Sequence, residues 1–312
     1  MPSGTIADTV GEFGSRGPRR ANRSVLVGRW ITLAIILGIA GYATAHVLAG
    51  DPGRPTAISR AGSAASSPAV TPPSTTEVGP SAPPGQPVPI LMYHVIEAPP
   101  PGAPYPELYL PADAFANQMR YLAAHHFHAV TLQAVWAYWE NGATLPIHPI
   151  VLSFDDGYRS QFTNAARTLR RYHWPGVLNL IVSHLHAGTY GLGPHMVQAM
   201  IAAGWEIDSH TSTHPDLTTL PASTMVREVE QSRRILRRLF NVPVNYFCYP
   251  AGRYNASVIA TVRSAGYIAA TTTNYGVARP SQGRFALDRI RVDGTDTATT
   301  LGQKLTAFHL LG

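Results

Sequence analysis

The chain has 312 residues, 45% of them hydrophobic and 13% charged, with a formal net charge of +6 and one cysteine. A hydrophobic share this ordinary excludes a wholly disordered chain, and the lone cysteine excludes a disulfide scaffold or a cysteine-built zinc or iron–sulfur centre. The positive balance does not mark a nucleic-acid binder. Five arginines (Arg16, Arg19, Arg20, Arg23, Arg29) sit in residues 1–30 against Asp8 and Glu12, and no basic stripe interleaved with aromatics follows.

Residues 1–30 read as a basic cytoplasmic tail. Residues 31–49 (ITLAIILGIAGYATAHVLA) carry no formal charge and at about 1.5 Å per residue just span a bilayer core of about 30 Å. With arginines ahead of this run, the positive-inside rule places everything after it outside the cytoplasm. The segment reads as an uncleaved single-pass anchor in the cell membrane. Cleavage after small residues such as Ala43, Ala45 or Ala49, with secretion, is the alternative. Residues 50–88 are rich in Pro, Ser, Thr, Ala and Gly and read as a disordered, extended linker.

Residues 89–312 then alternate short apolar runs with amphipathic stretches. Strands are expected at Pro89–Tyr93, Ala129–Leu132, Pro149–Phe154, Val177–Val182, Trp205–Ser209, Val244–Tyr249, Tyr267–Thr271 and Phe285–Val292. Helices are expected from Asp113 (with Phe115, Met119 and Leu122 at i, i+4, i+7), then over Gln133–Glu140, Gln161–Tyr172, Pro194–Ala203, Ala222–Leu239 and Ala256–Ala265. Strands apolar throughout and separated by helices imply a parallel sheet covered on both faces. The fold class is α/β: a deformed (β/α) barrel of about seven βα units, with an open doubly wound sheet as the alternative.

Chemistry gathers where strands end. The sequence Ser153-Phe-Asp-Asp-Gly157 closes PIVLSF. Neighbouring strand residues point to opposite faces, so Asp155 and Asp156 converge only if the chain leaves the strand there, a turn Gly157 permits. His210-Thr-Ser-Thr-His214 follows the strand WEIDS; two histidines four apart share a face if the segment is helical, and neutral imidazoles suit zinc, iron, nickel or cobalt. In Phe247-Cys-Tyr-Pro-Ala-Gly252, Pro250 and Gly252 shape a loop able to turn a backbone N–H toward a ligand. Each piece alone also reads as an ordinary turn or loop. In a parallel barrel, however, all three lie on one face, where an aspartate with two histidines makes an open metal triad and a second carboxylate can take a proton from water. G-x-S-x-G and H-E-x-x-H motifs are absent from the sequence.

SFDDG, HTSTH and FCYPAG, in this order, resemble the three motifs of the polysaccharide deacetylase family, carbohydrate esterase family four. The resemblance covers about residues 88–305. VPILMYH at the start and LDRIRVDG near the end resemble the exported subgroup that deacetylates poly-N-acetylglucosamine. It implies a general base at Asp155, a divalent metal (zinc foremost, with nickel, cobalt or iron as alternatives) on Asp156, His210 and His214, and an oxyanion contact from the Ala251 N–H beside Tyr249 and Pro250. It also implies a general acid at His94, with His309 as rival, and an N-acetylated polysaccharide of the cell envelope as substrate. His184 and His186 also follow a strand and read as rim residues. Two departures stand out: Cys248 occupies the place of the arginine that orients the base in many members, and Ala251 that of an aromatic residue. Losing the arginine is expected to raise the Asp155 pKa unless Arg289 supplies the charge. A catalytically impaired carbohydrate-binding protein, or a metal-dependent esterase or amidase of another acyl group, are therefore the competing functions.

Overall fold

The computed structural model describes residues 81–311, with the side chain of His186 excepted. The basic tail, the apolar run 31–49 and most of the linker lie outside the described residues. Among the described residues no helix is long and apolar enough to cross a membrane.

Eight strands run in parallel: β1 (Ile90–Tyr93), β2 (His128–Ala129), β3 (Pro149–Asp156), β4 (Val177–Leu180), β5 (Glu206–Ser209), β6 (Tyr246–Cys248), β7 (Ala269–Tyr275) and β8 (Leu287–Arg291). β1 pairs with both β8 and β3, so β1, β8, β7, β6, β5, β4 and β3 close into a seven-stranded barrel. The barrel expectation holds over the open sheet. α1 (Ala112–Ala124), a helical segment of π, α and 3-10 turns (Gln161–Ala166, Arg167–Leu169, Arg170–Tyr172), α3 (Pro194–Ala202), α4 (Ala222–Phe240), α5 (Ala256–Ser264) and α6 (Ala298–Ala307) lie outside it. α4 shows why: Met225, Val229, Ser232, Leu236 and Phe240 make one buried stripe against its arginine-rich outer face.

The second unit departs from the expected pattern. Instead of a strand over Ala129–Leu132, β2 stops after two residues that pair with Pro149 and Ile150 at the start of β3. The Thr131 hydroxyl then accepts from the Ala134 N–H and caps α2 (Leu132–Asn141). α2 closes the base of the barrel: its Leu132, Val135 and Tyr138 join Ile90, Val151, Val177, Tyr246, Ala269 and Leu287 in the inner core. Residues 81–88, assigned to the linker by composition, pack on this base, with Val88 fully buried, the Gln86 N–H donating to the Tyr138 hydroxyl and Trp139 donating to Gln86 O. α6 carries no expectation from sequence, because ATTLGQKLTA mixes β-branched residues and glycine with weak periodicity; a Thr297/Thr300 capping box starts it.

Candidate active site

Strand alternation selects the residues of the site. On β3, Ile150, Leu152 and Phe154 belong to the outer core and Val151 to the inner one, so Ser153 and Asp155 also face the lumen. The same alternation sets Asn179 above Val177 on β4, Cys248 above Tyr246 on β6 and Arg289 above Leu287 on β8. These buried groups form a polar layer over the apolar lumen, at the strands' C-terminal ends.

Asp155 is its centre. Arg289, 0% exposed, donates from Nη1 to Oδ1 and from Nη2 to Oδ2, both at 2.8 Å, and Asn179 Nδ2 donates to Oδ1 at 2.7 Å. Arg289 is itself held by Thr272 O and Ser153 Oγ, and its Nη2 lies 3.2 Å from Cys248 Sγ. Burial alone would raise the Asp155 carboxyl; the bidentate guanidinium overrides it and holds the group well below the usual carboxylate range. The charge missing at Cys248 thus arrives from β8, and the raised Asp155 pKa expected without it does not arise. His94, directly after β1, brings Nε2 within 3.8 Å of Asp155 Oδ2. Burial lowers its pKa against the pull of Asp155 and Asp156.

The turn out of β3 begins at Asp156 itself, with φ +74° followed by +79° at Gly157. It swings the second carboxylate toward the loop after β5. That loop is not helical, so the shared-face condition for His210 and His214 is met by other means: Thr211 and His214 adopt left-handed backbone at φ +70° and +63°. Glu228 on α4 ties the loop down, accepting from the Ser212 and Thr213 N–H groups and the Thr213 hydroxyl. His210 Nδ1 lies 2.7 Å from Cys248 O; a carbonyl only accepts, which assigns the proton to Nδ1 and leaves the Nε2 lone pair facing the site. Nε2 of His210 is 3.1 Å from Nε2 of His214, and Asp156 Oδ1 is 3.5 and 3.7 Å from the two.

Donors each about 2.0–2.2 Å from one zinc ion lie roughly 3.0–3.6 Å from one another, so Asp156, His210 and His214 fit a divalent cation. A second group, Asp155, His210 and Cys248, also converges, but Arg289 already occupies both Asp155 oxygens. Burial opposes ionisation of His210, yet Cys248, Asp155 and Asp156 carry it up to about 10, while burial and then the His210 charge push His214 down to about 4.

Ala251 sits exposed on the turn after β6 in left-handed backbone, φ +50°. Pro250 is buried beneath it. The Tyr249 side chain points into the outer core, donates its hydroxyl to Phe285 O and stacks on Tyr254, so only its backbone belongs to the site. His184 Nδ1 lies 2.8 Å from Asp156 O, and its ring meets the exposed Tyr190 edge-on. His309 lines a recess with Pro89 and Pro149 where strands begin, at the opposite end of the barrel, which removes it as the acid. Sequence reading missed Asn179, Glu228 and Gln161, whose Nε2 donates to both His94 O and Asp155 O. The signal for Asn179 was an amide in the otherwise apolar run VLNLIV.

Gly252 fixes the β6 loop: at φ +68°, an added Cβ would lie 1.9 Å from Thr273 Oγ1. Gly252→Ala is expected to cost at least about 2 kcal/mol. In thermal unfolding the midpoint should fall by roughly 4–8 °C; an unchanged midpoint would mean that the loop tolerates another path.

The family model described as polysaccharide deacetylase matches residues 142–270, which hold β3 through β6 with Asp155, Asp156, His210, His214 and Cys248. Poly-beta-1,6-N-acetyl-D-glucosamine N-deacetylase of Staphylococcus epidermidis is 24% identical over 62% of this chain and 71% of its own length. The solved deacetylase PplD of Streptococcus pyogenes, in complex with acetate, superposes with a TM-score of 0.66 at 25% identity, over 70% of this chain and 98% of that one. A de-N-acetylase from Aggregatibacter actinomycetemcomitans, 20% identical, shares the fold with a TM-score of 0.62 over 70% of this chain and all of its own. Residues 142–270 thus carry a polysaccharide deacetylase domain, and the relatives and solved structures together support a deacetylase enzyme.

Proposed function

We propose that the protein is a divalent-metal-dependent hydrolase that removes N-acetyl groups from an N-acetylglucosamine-containing polysaccharide in the cell envelope, held at the membrane by residues 31–49. The observation that carries this reading is the convergence of Asp156, His210 and His214 donors beside an Asp155 carboxylate clamped by Arg289. The name of the Staphylococcus epidermidis relative supports the choice of glycan.

Asp156, His210 and His214 would hold the cation, which would supply Lewis-acid polarisation of the acyl carbonyl and activation of the attacking water. Asp155 takes the proton from that water at Oδ2, the oxygen nearer His94. With its carboxyl held so far down by Arg289, Asp155 keeps the proton only transiently and passes it to His94 Nε2, which is neutral at rest because burial lowers its pKa. The Ala251 N–H, on the exposed left-handed turn after β6, serves as the donor to the developing oxyanion. His94 then gives the proton to the amine nitrogen as the C–N bond breaks, releasing acetate and a free amino sugar. Arg289 answers the doubt raised by Cys248, which disfavours the impaired-enzyme reading.

The test is acetate release by the full-length protein from N-acetylglucosamine oligomers, acetylxylan and an aryl acetate, with chelator and with zinc, nickel or cobalt restored. Release from the oligomers that stops with chelator and returns with metal is expected. Bound metal with no release would favour the binding protein, and preference for acetylxylan or the aryl ester would favour the other acyl hydrolases.

A further inference from the structure

The end of the barrel opposite the active site has a character of its own. Helices that return from the top of a parallel strand end at the base, and three of these ends, those before β4, β6 and β7, are basic. Arg170 and Arg171 end the helical segment before β4, Arg237 and Arg238 end α4 with Arg234 one turn earlier, and Arg263 ends α5; all six side chains are exposed. Helix dipoles explain one cation per terminus, not a rim of them. Glu140, the exposed acid on the base helix α2, is already paired with Arg284 at 3.6 Å.

α2 lies across this base and presents two half-buried indoles. Arg284 stacks over Trp136 at 5.1 Å, and Trp139 donates to Gln86 O. Two half-buried tryptophans, one of them under an arginine, on a face that also carries exposed helix-terminal arginines are the composition of a surface that settles at the headgroup level of a bilayer. Residues 81–88 also lie at this end: the Ala82 N–H donates to Leu145 O and Val88 packs under α2. Residues 50–80, and before them the apolar run 31–49, precede that point in the sequence. Asp155, Asp156, Asp216, Asp293 and Asp296 stand at the other end, around the strand C-termini, while at the base Glu206, the first residue of β5, accepts from the Gln133 N–H of α2.

We infer that the base of the barrel, built on α2 with Trp136 and Trp139 and rimmed by the helix-terminal arginines, docks on the anionic headgroups of a lipid bilayer. The strand-end face then points away from the membrane toward polymer. This surface is independent of the reaction the site performs, so its failure would leave the deacetylase reading standing.

The test is amide hydrogen exchange on the full chain mixed with preformed vesicles of phosphatidylcholine, or of phosphatidylcholine with about one-third phosphatidylglycerol. Insertion of the apolar run contributes equally to both, so the difference isolates the base. Exchange in α2 and the last turn of α4 should slow about tenfold on the anionic vesicles only, and revert in roughly 0.5 M salt. The variant Arg234→Glu/Arg237→Glu/Arg238→Glu should lose the protection while strand exchange and acetate release stay unchanged. Equal exchange of α2 on the two vesicle types, or protection of the His210–His214 loop instead, would overturn the inference. Protection by soluble polyphosphate without protection by vesicles would overturn it too, and would give the face to a polyanionic chain. The salt arm decides the matter even if the triple variant misfolds.

Discussion

Asp155→Asn is expected to lower kcat for acetate release by about 10²–10⁴-fold with metal content unchanged. The amide keeps the size of the carboxylate and an acceptor for Arg289, but it cannot take a proton from water. The candidate metal donors sit on the next residue and on the β5 loop, so their geometry does not depend on the charge at position 155. The variant has a predictable side effect: Arg289, 0% exposed, keeps its charge and loses its counter-ion. Removing one partner of a buried pair costs about 3–5 kcal/mol, and Asn should recover part of that through its remaining acceptor. Urea unfolding and elemental analysis alongside kcat separate the two effects. Turnover within tenfold of the parent, in a folded and metal-loaded variant, would remove Asp155 from the reaction and leave the proton to His94 alone.

How far the sequence discloses this arrangement depends on whether local pattern or distant packing decides each element. Strands such as β3 and β4 are legible because a buried parallel strand is apolar on both faces, and the turn at Asp156-Gly157 is legible because a carboxylate pair and a glycine close an apolar run. Alternation also carries information the motifs hide. Cys248 falls on the same face as Tyr246 and so looks into the lumen, while Phe247 and Tyr249 look out, where the Tyr249 hydroxyl finds Phe285 O. The β2–α2 unit is different. AVTL suits a strand locally, but the base of the barrel needs a plug, and Thr131 caps a helix there whose Leu132, Val135 and Tyr138 gain more by filling the lumen than by extending the sheet. Likewise His210 and His214 converge through two left-handed residues and a clamp from Glu228, which a spacing of four does not reveal. Residue 309 is only a histidine near the C-terminus until the topology puts it at the wrong end of the barrel.

Arg289→Met is the second large effect, and it tests where the base obtains its charge partner. Met fills comparable volume but leaves Asp155 buried with Asn179 as its nearest donor, so about 3–5 kcal/mol of stability should go. The sign of its pH dependence follows from the depressed folded-state carboxyl. The parent pair contributes stability above the unfolded carboxylate pKa of about 4 and loses it only as pH falls through the lower folded value. In the variant, burial is opposed only by Asn179 and the neighbouring histidines, the folded carboxyl rises, and stability should fall as pH is raised above the unfolded value of about 4, the reverse slope. Cys248 offers the control. Its Sγ lies 3.2 Å from Arg289 Nη2 and 3.7 Å from Asp155 Oδ2, at the place where the resemblance to other members of the family expects the orienting arginine. Adding Cys248→Arg to Arg289→Met should therefore return a guanidinium to the same carboxylate from β6 instead of β8, and recover much of both stability and kcat. A double variant no more stable or active than Arg289→Met would mean that the lumen accepts the charge from one strand only, and that Cys248 and Arg289 are fitted to each other by the packing around them, not merely by the need for a cation beside Asp155.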